Sequence, residues 1–118
     1  MDELIAFVTA RLDEDEAAAQ EAASRPLGPA WDDGTRHTAV ARHINRHDPA
    51  RVLREVAAKR AILAEHAPQT DGPATGCGRC DWDHYVICDN PRGCATLRAL
   101  ATIWSDHADY RPEWVPDA

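Results

Sequence analysis

Residues 77–94 read CGRCDWDHYVICDNPRGC and hold all four cysteines of the 118-residue chain. Cys77 and Cys80 form a C-x-x-C pair, a spacing that lets two thiolates on one tight turn reach a single ion, with Gly78 easing the turn. Cys88 and Cys94 follow after seven and five intervening residues. Cys94 falls at the start of a predicted helix, where the positive end of the helix dipole favours a thiolate. Four such ligands suit a structural zinc ion. His66 stands at the end of the helix before this segment and offers an alternative fourth ligand. The sequence therefore leaves two sets open: Cys77, Cys80, Cys88 and Cys94, or three of these thiolates with His66 in place of Cys88. An iron–sulfur cluster is the alternative cofactor, although the C-x2-C-x7-C-x5-C spacing does not follow the ferredoxin patterns.

A closed four-ligand site has no position for water or substrate. The zinc-deaminase signature, H-x-E followed by P-C-x-x-C, is absent, and no catalytic residue is assigned. Chemistry would need Cys88 to stay off the metal, with Asp81, Asp83 or His84 serving as a base. No βαβ pattern surrounds the C-x-x-C, so a redox dithiol has little support.

Upstream, Leu4, Ile5, Val8 and Leu12 share a face of a helix predicted from Asp2 to Ser24. RPLGPAWDDG (25–34) reads as a loop, anchored by Trp31. A short helix is expected over Thr35–His47, with Val40, Ala41 and Ile44 inward. Asp48 followed by Pro49 is an N-cap and an N1 proline, so a third helix starts at Pro49 and runs to Glu65. Its apolar stripe is Val52, Leu53, Val56 and Leu63. PQTDGPATG (68–76) reads as a loop. HYVIC (84–88) suggests one arm of a small hairpin. Leu97, Leu100, Ala101 and Trp104 mark a fourth helix, and the proline-bearing end, 107–118, reads as an extended strap packed through Tyr110, Trp114 and Val115.

These elements predict one mainly α-helical domain over 1–118, of about four helices, with a zinc-knuckle insertion (77–94) before the last. Its expected core is Leu12, Val52, Val56, Leu63, Leu97, Leu100 and Trp104. The 22 alanines, one Phe and one Met leave few large core formers, so a metal or a subunit interface would add stability.

The net charge is −7, unevenly spread. Residues 1–24 carry seven acids and Arg11, whereas residues 36–60 carry seven bases against Asp48 and Glu55. Pairing between acidic and basic helices accounts for this pattern. The alternative is a nucleic-acid surface on segment 36–60, led by Arg42, Arg46 and Arg51, which the acidic total opposes. His43 and His47 have metal-ligand spacing, but Ile44 stands where H-E-x-x-H has its glutamate. Asp2 and Glu3 replace the positive charge of a signal peptide, and no apolar run reaches the ~20 residues of a membrane span. A cytoplasmic protein with reduced thiols is expected, with no membrane partner.

MDELIAFVTARLDEDEAAA, HINRHDPARVLREVAAKRAILAEHAP, CGRC and CATLRALATIWSDHADYRPEWVP together resemble a family of small uncharacterised proteins of actinobacteria and their phages. The likeness covers nearly the whole chain in order. It implies a small, mostly helical intracellular protein and supplies no activity. In that family the last-helix segment resembles PCPTLRALA, with a preceding C-x-x-C and a histidine after the third helix. Here Ala95 replaces the second proline and Cys88 is an additional thiol. By that resemblance Cys77, Cys80 and Cys94 are the firmer ligands. The resulting expectation is a non-enzymatic, zinc-stabilised interaction or regulatory module, phage-related by this likeness. A nucleic-acid-binding protein and an open-site metalloenzyme are the alternatives. Its expected partner is another protein, or a second copy packed on the alanine-rich half of the first helix.

Overall fold

The computed structural model describes residues 2–24, 38–83, 86–87 and 92–117. Its order is α1 (Asp2–Ser24), α2 (Ala39–Arg46), α3 (Pro49–Glu65), β1 (Pro68–Asp71), β2 (Ala74–Cys77), β3 (Trp82–Asp83), β4 (Val86–Ile87) and α4 (Ala95–Ala101). The described residues are thus mainly helical, with two short antiparallel strand pairs. Two compact units divide it, one of residues 1–11 and 59–118 and one of residues 12–58. The loop 25–34 with Trp31, the first residues expected of α2, and His84 and Cys88 lie outside the described residues. No helix among the described residues is long and apolar enough to cross a membrane.

In the 12–58 unit, Leu12, Ala19, Ala41 and Val56 are buried. Thr38 caps α2, its hydroxyl oxygen accepting from the Ala41 amide at 3.0 Å. Asp48 caps α3 as expected, its carboxylate accepting from the Arg51 amide at 2.8 Å, and Pro49 needs no donor partner there. The inward face expected of α2 is corrected: Ala41 is buried, but Val40 is 70% and Ile44 40% exposed. A two-turn helix buries one narrow stripe. Val40 lies about 100° around the axis from Ala41, off that stripe. Val52 is only half-buried.

The other unit has its core in Leu4, Phe7, Val8, Cys77, Cys94, Leu97, Ala101 and Trp114. Leu63, Leu100 and Trp104, expected as core, are half-buried instead. Their place is taken by Phe7, whose ring centroid lies 5.0 Å from that of Trp114 and 6.0 Å from that of Tyr110. A single short helix cannot bury its whole stripe once the aromatic tail covers part of the core. After Ala101 the helix tightens into a 3-10 turn over Thr102–Trp104, and a second 3-10 turn, Pro112–Trp114, seats Trp114.

Residues 68–76, read as a loop, form an antiparallel hairpin with Pro68 opposite Cys77 and Asp71 opposite Ala74. Gly72, at φ +60°, takes the first central position of the two-residue turn, as hairpin turns of the II′ class require. Only Thr70 and Thr75 favour strand here, so no alternating pattern announces it. The arm suggested by HYVIC is present in Val86–Ile87, which pairs with Trp82–Asp83.

The strap is held by two arginines. Arg92 donates to the carbonyls of Glu113 (3.2 Å) and Val115 (2.9 Å) and to the Asp117 carboxylate (2.8 Å). Arg98, 5% exposed, donates to the Gly93 and Val115 carbonyls and to Asp117, each at 3.3 Å. The Arg92 and Arg98 guanidinium groups hold the Asp117 carboxyl below its ordinary value of 3.8. This depressed carboxyl stabilises the fold above pH ~4, and the contribution is lost as pH falls through the lower folded value. Asp117 is solvent-exposed, so Asp117→Asn is expected to shift stability far less than loss of the buried Arg98. Arg98→Ala removes a donor from the Gly93 carbonyl and one of the two arginine donors from the Val115 carbonyl, and is expected to cost about 1–3 kcal/mol. Urea midpoints of the two variants check the order.

Candidate metal centre

Three elements carry the donors to one place. The C-terminal end of α3 presents His66, whose amide donates to the Ile62 carbonyl at 3.2 Å and so continues the helix by one residue. The β1–β2 hairpin then doubles the chain back, and the Gly78 amide donates to the Ala67 carbonyl at 3.1 Å, which sets Cys77 beside His66. The turn from Cys77 to Asp81 is closed twice. Asp81 N–H donates to the Cys77 carbonyl at 3.2 Å, and the Asp81 carboxylate accepts from the Cys77 amide at 2.6 Å. Asp81 is therefore a turn clamp, and the role of base suggested for it has no support in this geometry. Cys94 is the N-cap of α4, with Sγ accepting from the Leu97 amide at 3.4 Å.

The ligand atoms of His66, Cys77, Cys80 and Cys94 all lie within 4.8 Å of one another. From His66 Nδ1 the sulfurs of Cys77, Cys80 and Cys94 are 3.2, 3.4 and 3.7 Å away. Zn–S near 2.3 Å and Zn–N near 2.05 Å at tetrahedral angles place an imidazole nitrogen about 3.5–3.6 Å from each sulfur. The observed distances straddle that value, so the group is compatible with a metal site. Of the two ligand sets left open by the sequence, the described residues bring together the one with His66, and Cys88 lies outside them.

Cys77 and Cys94 are buried, Cys80 is exposed and His66 is half-buried. Cys77 Sγ accepts from the amides of Arg79 (3.4 Å) and Cys80 (3.3 Å), the pattern by which a knuckle turn spreads thiolate charge onto the backbone. Burial pushes the Cys94 thiol from 9.0 up to about 12, with Cys77 and Cys80 adding to the rise and the Leu97 amide opposing it. Without an ion the thiol is thus held neutral. A bound dication reverses that preference, because it takes the deprotonated ligand.

The other nominated residues are dispersed. Arg42 and Arg46 are exposed on α2, one turn apart. Arg51 is engaged by Glu55 (3.0 Å) and by the Arg46 carbonyl (3.1 Å). The rings of His43 and His47 lie 4.6 Å apart, yet among the described residues they join no third ligand. One polar pair escaped sequence reading: Arg11, 7% exposed, approaches His107 Nδ1 at 2.9 Å, and the Asp109 amide donates to the same atom at 3.0 Å. Two donors on Nδ1 assign the His107 proton to Nε2. An arginine on the apolar face of α1 was the available signal.

No curated protein and no solved structure matches this chain. A family model described as a family of unknown function, DUF6221, matches residues 1–116. The chain, with its clustered cysteines and histidine inside the matched span, therefore belongs to that family of unknown function.

Proposed function

We propose that His66, Cys77, Cys80 and Cys94 hold one zinc ion, and that the protein is a non-enzymatic, zinc-stabilised interaction or regulatory module. The observation that carries this reading is the convergence of four donors from α3, the knuckle turn and the α4 cap within 4.8 Å. Three thiolates and one imidazole are a recurrent structural zinc set, and four protein ligands leave no position for substrate. An iron–sulfur cluster shares its thiolates among several irons, which suits this tight single-ion grouping less well. We further propose a setting in actinobacteria or their phages, on the likeness to small proteins of that origin, where a reducing cytoplasm would keep the thiols available.

Protein purified under reducing conditions is expected to carry about one zinc per chain. Cobalt substitution is expected to give thiolate charge-transfer and tetrahedral d–d absorption. A folded, metal-free protein with titratable thiols overturns the reading, and iron with acid-labile sulfide replaces it with the cluster.

The pH response separates loaded from metal-free protein. Metal binding displaces thiol protons, so zinc affinity is expected to fall by up to about a thousandfold per pH unit on acidification below the thiol values. The raised Cys94 thiol makes the opposite contribution without metal, present below pH 9 and lost as pH rises from 9.0 toward about 12. With zinc the melting temperature should rise with pH below the thiol values, whereas in chelator it should fall as pH rises above 9.0.

The exposed Arg42 and Arg46 favour nucleic-acid binding as the second reading. It requires salt-dependent retention of DNA or RNA that Arg42→Glu with Arg46→Glu abolishes, each lost phosphate contact reducing the salt slope by about 0.9 on duplex DNA. No retention at low salt removes it.

A further inference from the structure

The three sulfurs of the centre are not equivalent. Cys77 Sγ accepts two backbone N–H bonds, from Arg79 and Cys80, and Cys94 Sγ accepts one, from Leu97. Cys80 Sγ has no backbone N–H partner among the described residues. Its polar neighbours are His66 Nδ1 and, at 3.6 Å, the Thr96 hydroxyl. Cys77 and Cys94 are buried while Cys80 is exposed. Amide donors draw charge off a thiolate and burial shields it, so both effects leave Cys80 the most electron-rich and most accessible sulfur.

We propose that Cys80 is an oxidation site through which a hydroperoxide opens the metal centre, with Cys77 as the resolving thiolate. This inference rests on the zinc reading above. The Cys80 thiolate attacks one peroxide oxygen and the O–O bond breaks, which gives a sulfenic acid and, from hydrogen peroxide, hydroxide. The Cys77 thiolate then attacks the sulfenic sulfur, the S–S bond forms and a second hydroxide leaves. Two thiolates lose two electrons, the peroxide gains them, and the hydroxides take protons from solvent. Cys77 is the partner because it shares one turn with Cys80 and their sulfurs lie within 4.8 Å. Cys94 is anchored to the first turn of a different helix. Only His66 and Cys94 then remain on the ion. Two ligands do not retain zinc in a structural site, so oxidation releases it.

The test begins with the metal content of the reduced protein. Hydrogen peroxide is then added in small increments, zinc release is read with a chromogenic chelator, and peptide mass mapping locates the oxidised residues. The expected result is about one zinc released per Cys77–Cys80 disulfide. Limiting iodoacetamide on the loaded protein supplies a second readout that needs no variant, and among the three ligand cysteines its first adduct is expected on Cys80. Protein that carries no zinc before oxidant is added overturns the zinc reading and this inference with it. Zinc-loaded protein that keeps its metal after oxidation, or whose first modification among the three ligand cysteines falls on Cys77 or Cys94, overturns this inference alone.

Discussion

Cys94→Ser is expected to abolish zinc retention and unfold much of the 1–11/59–118 unit at ambient temperature, although serine is the better helix cap. Two roles meet at this residue. As the N-cap of α4, its sulfur satisfies the Leu97 amide at 3.4 Å. A hydroxyl accepts that bond more strongly, so on capping alone the substitution would be neutral or gain up to about 1 kcal/mol. As a ligand, its thiolate completes a donor set that a neutral hydroxyl does not. Structural zinc contributes on the order of 10–16 kcal/mol to small peptide folds, comparable with the ~5–15 kcal/mol that separates folded from unfolded domains. The ligand role therefore dominates by an order of magnitude. Helicity against temperature, recorded with zinc and with excess chelator, tests this directly. With zinc, wild type should far exceed the variant. In chelator the gap should shrink to the few kcal/mol at most that a better cap and a hydroxyl buried in place of a core thiol can make. A variant that melts at or above wild type under both conditions would show Cys94 to be a cap and a core residue, with no metal.

The same residue shows what was legible beforehand. C-x-x-C spacing and a cysteine at the start of an amphipathic run are local patterns, and both are read from a few consecutive residues. Likewise Asp48–Pro49 announces α3, and the Leu4–Val8–Leu12 spacing announces α1. His66 belongs to the group for a non-local reason: a hairpin of the right length folds residue 77 back onto residue 66. With Thr70 and Thr75 as its only strand formers, that hairpin has almost no signal of its own, so the fourth ligand stayed open between His66 and Cys88. Arg98 illustrates a different gap. Its burial follows from main-chain carbonyls of Gly93 and Val115 that converge only in the fold, and hydrogen bonding to carbonyls leaves no residue pattern. Phe7 and Trp114 are separated by more than a hundred positions, and neither's neighbours announce the other.

Gly93→Ala is expected to cost about 2–5 kcal/mol, the sum of a backbone and a steric penalty. Gly93 sits at φ +83°, where an L side chain is strained, and a Cβ built there lies 2.5 Å from Leu4 Cδ2. Leu4 is 1% exposed, so its Cδ2 would have to shift within a packed core. The added methyl therefore displaces a packed side chain next to Cys94, and Gly93 supplies a carbonyl to Arg98. Gly72→Ala isolates the first penalty: its φ is +60°, yet nothing lies within 4 Å of the added methyl, so it should cost only about 1–2 kcal/mol. Relief of the steric part comes from the other side of the contact. Leu4→Ala alone should destabilise by about 2–5 kcal/mol, but added to Gly93→Ala it should cost distinctly less, because it vacates the volume the new methyl needs. Denaturant midpoints of the four proteins give the coupling energy of this cycle, expected at about 1–3 kcal/mol in the favourable direction. Strict additivity would mean that Leu4 does not press on the loop that presents Cys94, and Gly93→Ala would then match Gly72→Ala.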